Sequence, residues 1–162
     1  MKIIIINHSF QKTEFYKRWQ ILAEAHKDLD VTLLAPINWE WGKIKTLTYG
    51  RIDDIKGKAV EKPNFHIHLI KTKDEIMGEY SSDDMEKEIL DIKPDITYFI
   101  GGYTAYPLMQ IIRLRKHNKK LKNMKIIAFT MRGHTPAIDF KKDEKGIKKY
   151  INTFGKYCIL AP

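Results

Sequence analysis

The apolar positions of this chain fall into continuous runs separated by amphipathic segments. Three runs are β-branched or aromatic with little or no polar alternation: Lys2 to Asn7 (KIIIIN), Ile96 to Ile100 (ITYFI) and Lys125 to Met131 (KIIAFTM). Strands of this kind are typical of a parallel sheet that is covered on both faces. These runs therefore predict the central strands of one buried sheet.

Segments with helical periodicity alternate with the strands. Helices are predicted over Thr13 to Lys27, from Asp83, over Thr104 to Arg115 and over Lys142 to Phe154, and further strands over Val31 to Ala35, Phe65 to Ile70 and Tyr157 to Ala161. Alternating strands and helices predict an α/β fold. We expect one Rossmann-like domain spanning residues 1–162, with an open, mostly parallel sheet and helices on both faces.

The pattern is weaker between these elements. Residues 37–62 predict loop with some hairpin, and residues 71–82 predict a polar connection. In Phe65 to Ile70 the alternation predicts a strand near a sheet edge, with His66 and His68 on one face. Pro94 predicts the end of the preceding helix and an extended Lys93, because proline disfavours helical geometry in its predecessor.

Chemically useful residues follow the predicted strands. The carboxyl ends of parallel strands share one sheet edge, where α/β proteins bind ligands. A glycine-containing turn after Ile100 and an arginine-containing turn after Met131 should form two walls of one site, and Trp39 offers an aromatic face in a loop. The candidate binding residues are His8, Ser9, Trp39, Gly101, Gly102, Tyr103, Arg132, Gly133 and His134.

Composition narrows the class of protein. A hydrophobic content of 43% with 30% charged residues indicates a globular chain, and no apolar run reaches the about 20 residues of a membrane span. A single cysteine, Cys158, excludes an intrachain disulfide and is consistent with a cytoplasmic protein. We therefore expect a cytoplasmic location, with a peripheral position at the inner membrane face as a further hypothesis.

The net charge of +9 is concentrated in Arg113 to Lys125 and Lys141 to Lys149. The simplest interpretation is a solvated lysine-rich surface. Arg113 to Lys125 is also compatible with an anionic membrane surface, which attracts clusters of four to eight basic residues. Nucleic-acid binding is not favoured, because no helix-turn-helix, zinc-finger or RNP-type pattern accompanies the charge.

Several motifs are absent from the sequence. It has no P-loop, no G-x-G-x-x-G after the first strand, and no H-E-x-x-H, C-x-x-C or G-x-S-x-G. These absences give no support to P-loop, ordinary dinucleotide-binding, metalloprotease, thiol-redox or α/β-hydrolase chemistry. His66 and His68 lack a further ligand at metal-binding spacing, so no metal site is expected.

Four segments together resemble a known family: KIIIIN with its long helix, KPDITYFIGG, KIIAFTMRGHTP and the terminal YCILAP. Their order is similar to the N-terminal half of B-fold glycosyltransferases, specifically the retaining, sugar-nucleotide-dependent family 4. The resemblance implies an acceptor-binding domain for a sugar or glycolipid acceptor. It also implies a second, C-terminal domain beyond this chain that holds the nucleotide-sugar donor and a pair of glutamates eight positions apart.

The resemblance implies that this chain has no cofactor of its own and is inactive alone, although it belongs to an enzyme. Two positions depart from the family pattern. The loop after the first strand, His8-Ser9-Phe10, lacks the glycine pair, and Arg132 stands where a histidine is usual, with His134 two residues later. The alternative hypothesis is a non-enzymatic Rossmann-like ligand-binding or regulatory domain; a free-standing nucleotide-binding enzyme is a third, weaker one.

Overall fold

The computed structural model describes residues 1–7, 13–36, 60–76, 79–101, 106–129 and 159–161. The predicted helix at Lys142 to Phe154 and most of the predicted loop at 37–62 lie outside these ranges. The elements in chain order are β1 (Lys2–Ile6), α1 (Thr13–Ala25), β2 (Asp30–Pro36), β3 (Val60–Lys62), β4 (Phe65–Ile70), β5 (Lys73–Ile76), β6 (Glu79–Ser81), α2 (Asp83–Ile92), β7 (Ile96–Ile100), α3 (Tyr106–His117), a 3-10 turn (Lys119–Leu121), β8 (Lys125–Phe129) and β9 (Ile159–Ala161).

Seven of these strands form one sheet in the order β3-β4-β2-β1-β7-β8-β9. The strands from β4 to β9 along this order are mutually parallel, and only β3 pairs antiparallel, at the edge beside β4. The predicted α/β class with an open, mostly parallel, Rossmann-like sheet is confirmed. The strand order reverses between β1 and β7, where the chain crosses from one half of the sheet to the other.

Hydrophobic cores lie on both faces of the sheet. On one face the helices α2 and α3 contribute Met85, Ile89, Leu108 and Ile111 to a cluster that packs on the sheet. On the other face α1 contributes Ala23, with Phe15 and Trp19 packed beside it. Successive strand side chains enter opposite cores, as in Ile4 and Ile6 against Ile5. The prediction of helices on both faces is therefore confirmed.

The start and the end of α2 are both capped. The hydroxyl of Ser82 accepts a hydrogen bond from the Met85 N–H at 3.1 Å, which satisfies a donor of the first turn. At the other end Lys93 is left-handed, with φ 52° and ψ 65°, so the expectation of an extended Lys93 was wrong. Its N–H donates to the Ile89 carbonyl at 3.0 Å, and this C-cap outweighs the preference that Pro94 imposes.

A second difference concerns residues 71–82, for which the sequence predicted only a polar connection. The strands β5 and β6 pair antiparallel there in a separate two-stranded sheet with an irregular register. Its mostly polar sequence carries little of the alternation that identifies a half-buried strand, so pattern alone did not show it. The hairpin of β3 and β4 agrees with the expected hairpin content, and β4 lies next to the edge as predicted.

Candidate functional site

The site begins where β1 and β7 lie side by side with their carboxyl ends at the same edge. The register pairs Ile6 with Phe99, so Asn7 and Ile100 are the next residues on the two strands. The chain leaves β1 toward one half of the sheet and leaves β7 toward the other. Open α/β sheets bind ligands at this kind of topological switch point. We call Ile6, Asn7, Ile100 and Gly101 the switch-point residues.

Asn7 joins the strands at the switch point. Its side chain is buried, at 6% exposure, and its Nδ2 donates to the Ile100 carbonyl at 3.0 Å. Its backbone N–H donates to the Leu34 carbonyl of β2 at 3.4 Å. A buried carbonyl without a hydrogen-bond partner costs about 1–3 kcal/mol. The Asn7 amide supplies a partner for the Ile100 carbonyl at the point where the regular strand pairing ends. Asn7 thereby fixes the carboxyl ends of β1, β2 and β7 relative to one another.

Sequence reasoning did not select Asn7. The bond that makes it important reaches Ile100, which is 93 positions away in the chain. One signal was present: a single amide closes a run of four isoleucines, with no glycine or proline to end the strand. A polar residue directly after an apolar strand needs a partner if it is buried.

Gly101 lies at the carboxyl end of β7, at the edge where sequence reasoning placed it. Its N–H donates to the Phe129 carbonyl of β8 at 3.1 Å, which ties a further strand into the same edge. A Cβ atom at this position would lie 2.6 Å from Cζ and 2.9 Å from Cε1 of Phe99. Phe99 is itself buried, at 4% exposure. Glycine is required here by this close approach, since its φ lies outside the left-handed region.

The other predicted site residues lie outside the described ranges. They are His8, Ser9, Trp39, Gly102, Tyr103, Arg132, Gly133 and His134. The strands that lead to them are described, and β7 and β8 are parallel neighbours that pair Ile100 with Phe129. The residues that come after Ile100 and after Phe129 thus follow neighbouring strands at one edge. Their grouping into a single site remains a prediction.

A half-buried polar network supports the helices beside this edge. Gln110 of α3 accepts the Ser82 N–H at its Oε1, at 3.1 Å, and donates through Nε2 to the Ser82 carbonyl at 3.0 Å and to Glu86 at 2.8 Å. The Ser82 hydroxyl donates to the Lys71 carbonyl, just beyond the end of β4, at 2.6 Å. The network therefore fixes α3, the helix that follows Gly101 in the chain, against the start of α2.

His66 pairs with a carboxylate at the start of β2, and His68 pairs with a carboxylate on α2. His66 Nε2 lies 3.2 Å from Asp30 Oδ1, and His68 Nδ1 lies 2.7 Å from Glu88 Oε2. Among the residues that the structure describes, no group of three or more His, Cys, Asp or Glu side chains is arranged to hold a metal ion. These pairs give both histidines a structural role in linking β4 to β2 and α2.

The basic cluster at Arg113 to Lys125 is directed away from the switch point. Helix α3 starts beyond the carboxyl end of β7 and returns to the amino end of β8, so its last turn and the 3-10 turn lie at the opposite edge of the sheet. Arg115 is engaged there, because its Nε donates to the Met124 carbonyl at 2.7 Å. This cluster is therefore not a wall of the candidate site.

Comparison with known proteins adds no relative. No protein-family model matches the chain, and a search of curated proteins finds no match. Within the described ranges, every helix is too short or too polar to cross a membrane.

Proposed function

We propose that this chain is the acceptor-binding N-terminal domain of a retaining glycosyltransferase that transfers a sugar from a nucleotide-sugar to a polysaccharide or glycolipid acceptor. One observation carries the proposal. The four segments that resemble the glycosyltransferase family contain β1, β7, β8 and β9, which are consecutive strands of the sheet. Segments far apart in the chain therefore converge on the switch point and its neighbours, where a ligand would bind.

The switch-point residues would act by holding the acceptor site in shape. Asn7 fixes the strand ends through the Ile100 carbonyl, and Gly101 lets the backbone pass directly over Phe99. The residues that follow these strands would then hold the acceptor hydroxyl against the anomeric carbon of the donor sugar, which a second domain binds. Catalysis in such a cleft rests on positioning and on stabilisation of the leaving diphosphate.

A second candidate is a Rossmann-like binding or regulatory domain without transferase activity. The observation that favours it is the chemistry of the switch point, because Ile6, Asn7, Ile100 and Gly101 carry no ionisable side chain. These four residues can bind a ligand through amide and backbone groups, and a general acid or base would have to come from the residues that follow the strands, such as His8 or His134. The two candidates share a site and differ in whether a bond to sugar is made there.

Sugar transfer by the full-length protein that carries this chain tests the proposal. The protein is incubated with UDP-, GDP- and ADP-linked radiolabelled sugars and with a membrane lipid or glycan extract, and product is separated from donor. We expect transfer from one donor with retained anomeric configuration, and none from residues 1–162 alone. Absence of transfer from every donor, or transfer by residues 1–162 alone, would overturn the proposal. Saturable ligand binding without transfer would support the second candidate.

A further inference from the structure

Charge is distributed very unevenly along this chain. Residues 1–95 contain 15 basic and 17 acidic residues, whereas residues 96–138 contain eight basic residues and no acidic one. Strands β1 to β4 come from the first segment, and β7 and β8 come from the second. Because β7 and β8 lie together on one side of the switch point, the unevenness in sequence becomes a separation of charge across the sheet.

Helix α3 presents part of this charge to solvent. Its buried side carries Leu108, Ile111 and Ile112. Its exposed side carries Tyr106, Met109, Arg113, Lys116 and His117, which at helical spacing fall within an arc of about 120°. The exposed side is therefore a single stripe that runs along the helix.

This stripe has an apolar end and a cationic end. Tyr106 is 64% exposed and Met109 is 39% exposed, at the end nearest the switch point. About 15 Å further along the helix axis lies Lys116, and the exposed Lys119 and Lys120 continue the positive charge. We call Tyr106, Met109, Arg113, Lys116, Lys119 and Lys120 the α3 stripe.

The cations of the stripe have no acidic partner within the described part of the chain. The ion pairs found there join Lys62 to Glu24, His66 to Asp30, His68 to Glu88 and Lys73 to Asp83. None of these pairs includes a residue of Tyr106 to Phe129. Within the described residues, the positive charge of the stripe is thus not neutralised by an ion pair.

We propose that the α3 stripe docks this protein onto an anionic lipid membrane. Basic clusters of this size are attracted to anionic leaflets, with about 1 kcal/mol for each Lys or Arg near the surface. Tyrosine is favoured at the boundary between headgroups and acyl chains, where an apolar ring and a polar hydroxyl are both accommodated. A polyanion such as duplex nucleic acid would be attracted by the cations alone and would gain little from Met109. The combination of both ends therefore favours lipid.

The direction of the stripe sets the orientation of the docked protein. Tyr106 and Met109 lie beyond the carboxyl end of β7, so the apolar end enters the interface beside the switch point. The cationic end of the stripe places the other edge of the sheet, at the amino end of β8, against the lipid headgroups. Ligands reaching the switch point would then arrive from the membrane surface. This docking goes beyond the proposed function, because it does not depend on sugar transfer.

Vesicle flotation of the 162-residue protein tests the docking without any sugar substrate. The vesicles contain phosphatidylcholine alone or phosphatidylcholine with phosphatidylglycerol. We expect binding only to the anionic vesicles, weakening as salt is added. The double variant Arg113→Gln/Lys116→Gln should bind about 30-fold more weakly, which corresponds to about 2 kcal/mol.

A charge-matched control is available on the other face of the sheet. Lys17 and Lys27 are exposed in and just after α1, so Lys17→Gln/Lys27→Gln removes the same charge outside the stripe. This control should bind vesicles like the unsubstituted protein. The variant Tyr106→Ser/Met109→Ser should lose the apolar part of the binding, which is the part that remains at high salt. Four outcomes would overturn docking: equal binding to both vesicles, equal loss in the control, no effect of Tyr106→Ser/Met109→Ser, or binding to duplex DNA with the same residue dependence and none to vesicles. Circular dichroism verifies that each variant is folded.

Discussion

The sheet has two halves that meet at the switch point, and they are built in the same way but charged differently. The first half contains β3, β4, β2 and β1, and the second contains β7, β8 and β9. Both contain buried core residues, with Ile4 and Leu33 at 0% exposure in the first half and Ile126 and Ala128 at 1% in the second. Ion pairs such as Lys62 with Glu24 lie in the first half, whereas β7 and β8 of the second half come from residues 96–138, which contain no acidic residue.

This difference shows that the apolar and charged patterns carry separate information. The apolar pattern determines the strands of both halves, because a continuous β-branched run predicts a buried parallel strand wherever it occurs in the chain. The charged pattern leaves the fold unchanged and determines what each half can contact. Substitutions at the junction of the halves, in the packed core and at charged side chains should therefore have effects of different size.

The largest effect is expected at the junction of the halves. Asn7→Asp keeps the shape of the side chain but replaces the donor with an oxygen that faces the Ile100 carbonyl in a buried position. We expect it to lower the free energy of unfolding by about 3 kcal/mol at neutral pH. The loss should shrink as the pH falls toward about 4, where a protonated carboxyl can again donate. Urea unfolding at several pH values measures this.

Asn7→Ala serves as the comparison for that variant. It removes the donor without adding charge, so it should cost about 1–3 kcal/mol with no dependence on pH between neutral and acid conditions. If Asn7→Ala leaves the free energy of unfolding unchanged, the amide at position 7 does not hold the Ile100 carbonyl.

The next effect is a packing conflict within the second half. Gly101→Ala places a methyl group 2.6 Å from the buried ring of Phe99, and overpacking of this kind costs about 1–3 kcal/mol. Phe99→Leu makes room at the position of the ring, so Gly101→Ala should cost much less in that background. Thermal unfolding of the two single variants and the double variant measures the coupling. Additive effects of the two substitutions would show that Phe99 is not what requires glycine.

A smaller pair of effects should differ in sign between the halves. Arg113→Gln removes repulsion with Lys116, three positions later on α3, and should raise the free energy of unfolding by about 0.3 kcal/mol. Lys62→Gln removes the 3.4 Å pair with Glu24 and should lower the free energy of unfolding by about 0.3 kcal/mol. Urea unfolding at low ionic strength measures both, and high salt should abolish both. Changes of the same sign would contradict the charge separation.

The smallest effect concerns Glu24 in the first half. The Gln20 side chain, which donates to Glu24 at 2.6 Å, lowers the pKa of Glu24 below its ordinary value of 4.5, with Lys62 contributing in the same direction. A lowered folded-state pKa stabilises the protein above the unfolded-state pKa, and this is lost as the pH falls through the folded-state pKa. Gln20→Ala should raise the pKa of Glu24, measured by carboxyl carbon NMR. An unchanged pKa would exclude Gln20 as its cause.

The parts of the fold that sequence predicted were those with unmistakable apolar periodicity. β1, β7 and β8 are continuous apolar runs, and α1 and α3 carry regular apolar stripes, so these elements were predicted within a few residues of their bounds. β5 and β6 were missed because their sequence is mostly polar. The left-handed Lys93 was missed because a local preference before proline yielded to a capping bond.

The candidate site was predictable only in its location. Parallel strands bring their carboxyl ends together, so the position of Gly101 followed from the order of strands and helices. The requirement for glycine came instead from the ring of Phe99, and the role of Asn7 came from a carbonyl in a distant strand. Both depend on three-dimensional neighbours that periodicity does not encode. That Arg132 and His134 bind a ligand at this edge remains a prediction.

The central claim is that ligand binds at the switch point between the two halves. Amide chemical shifts of the ¹⁵N-labelled 162-residue protein, titrated with a panel of oligosaccharides and glycolipid headgroups, test it most directly. We predict saturable shifts at the Asn7 and Gly101 amides for at least one member, with the amides of the 3-10 turn unchanged. Shifts confined to α3 and that turn, or no saturable shift at Asn7 and Gly101 with any member, would contradict the claim.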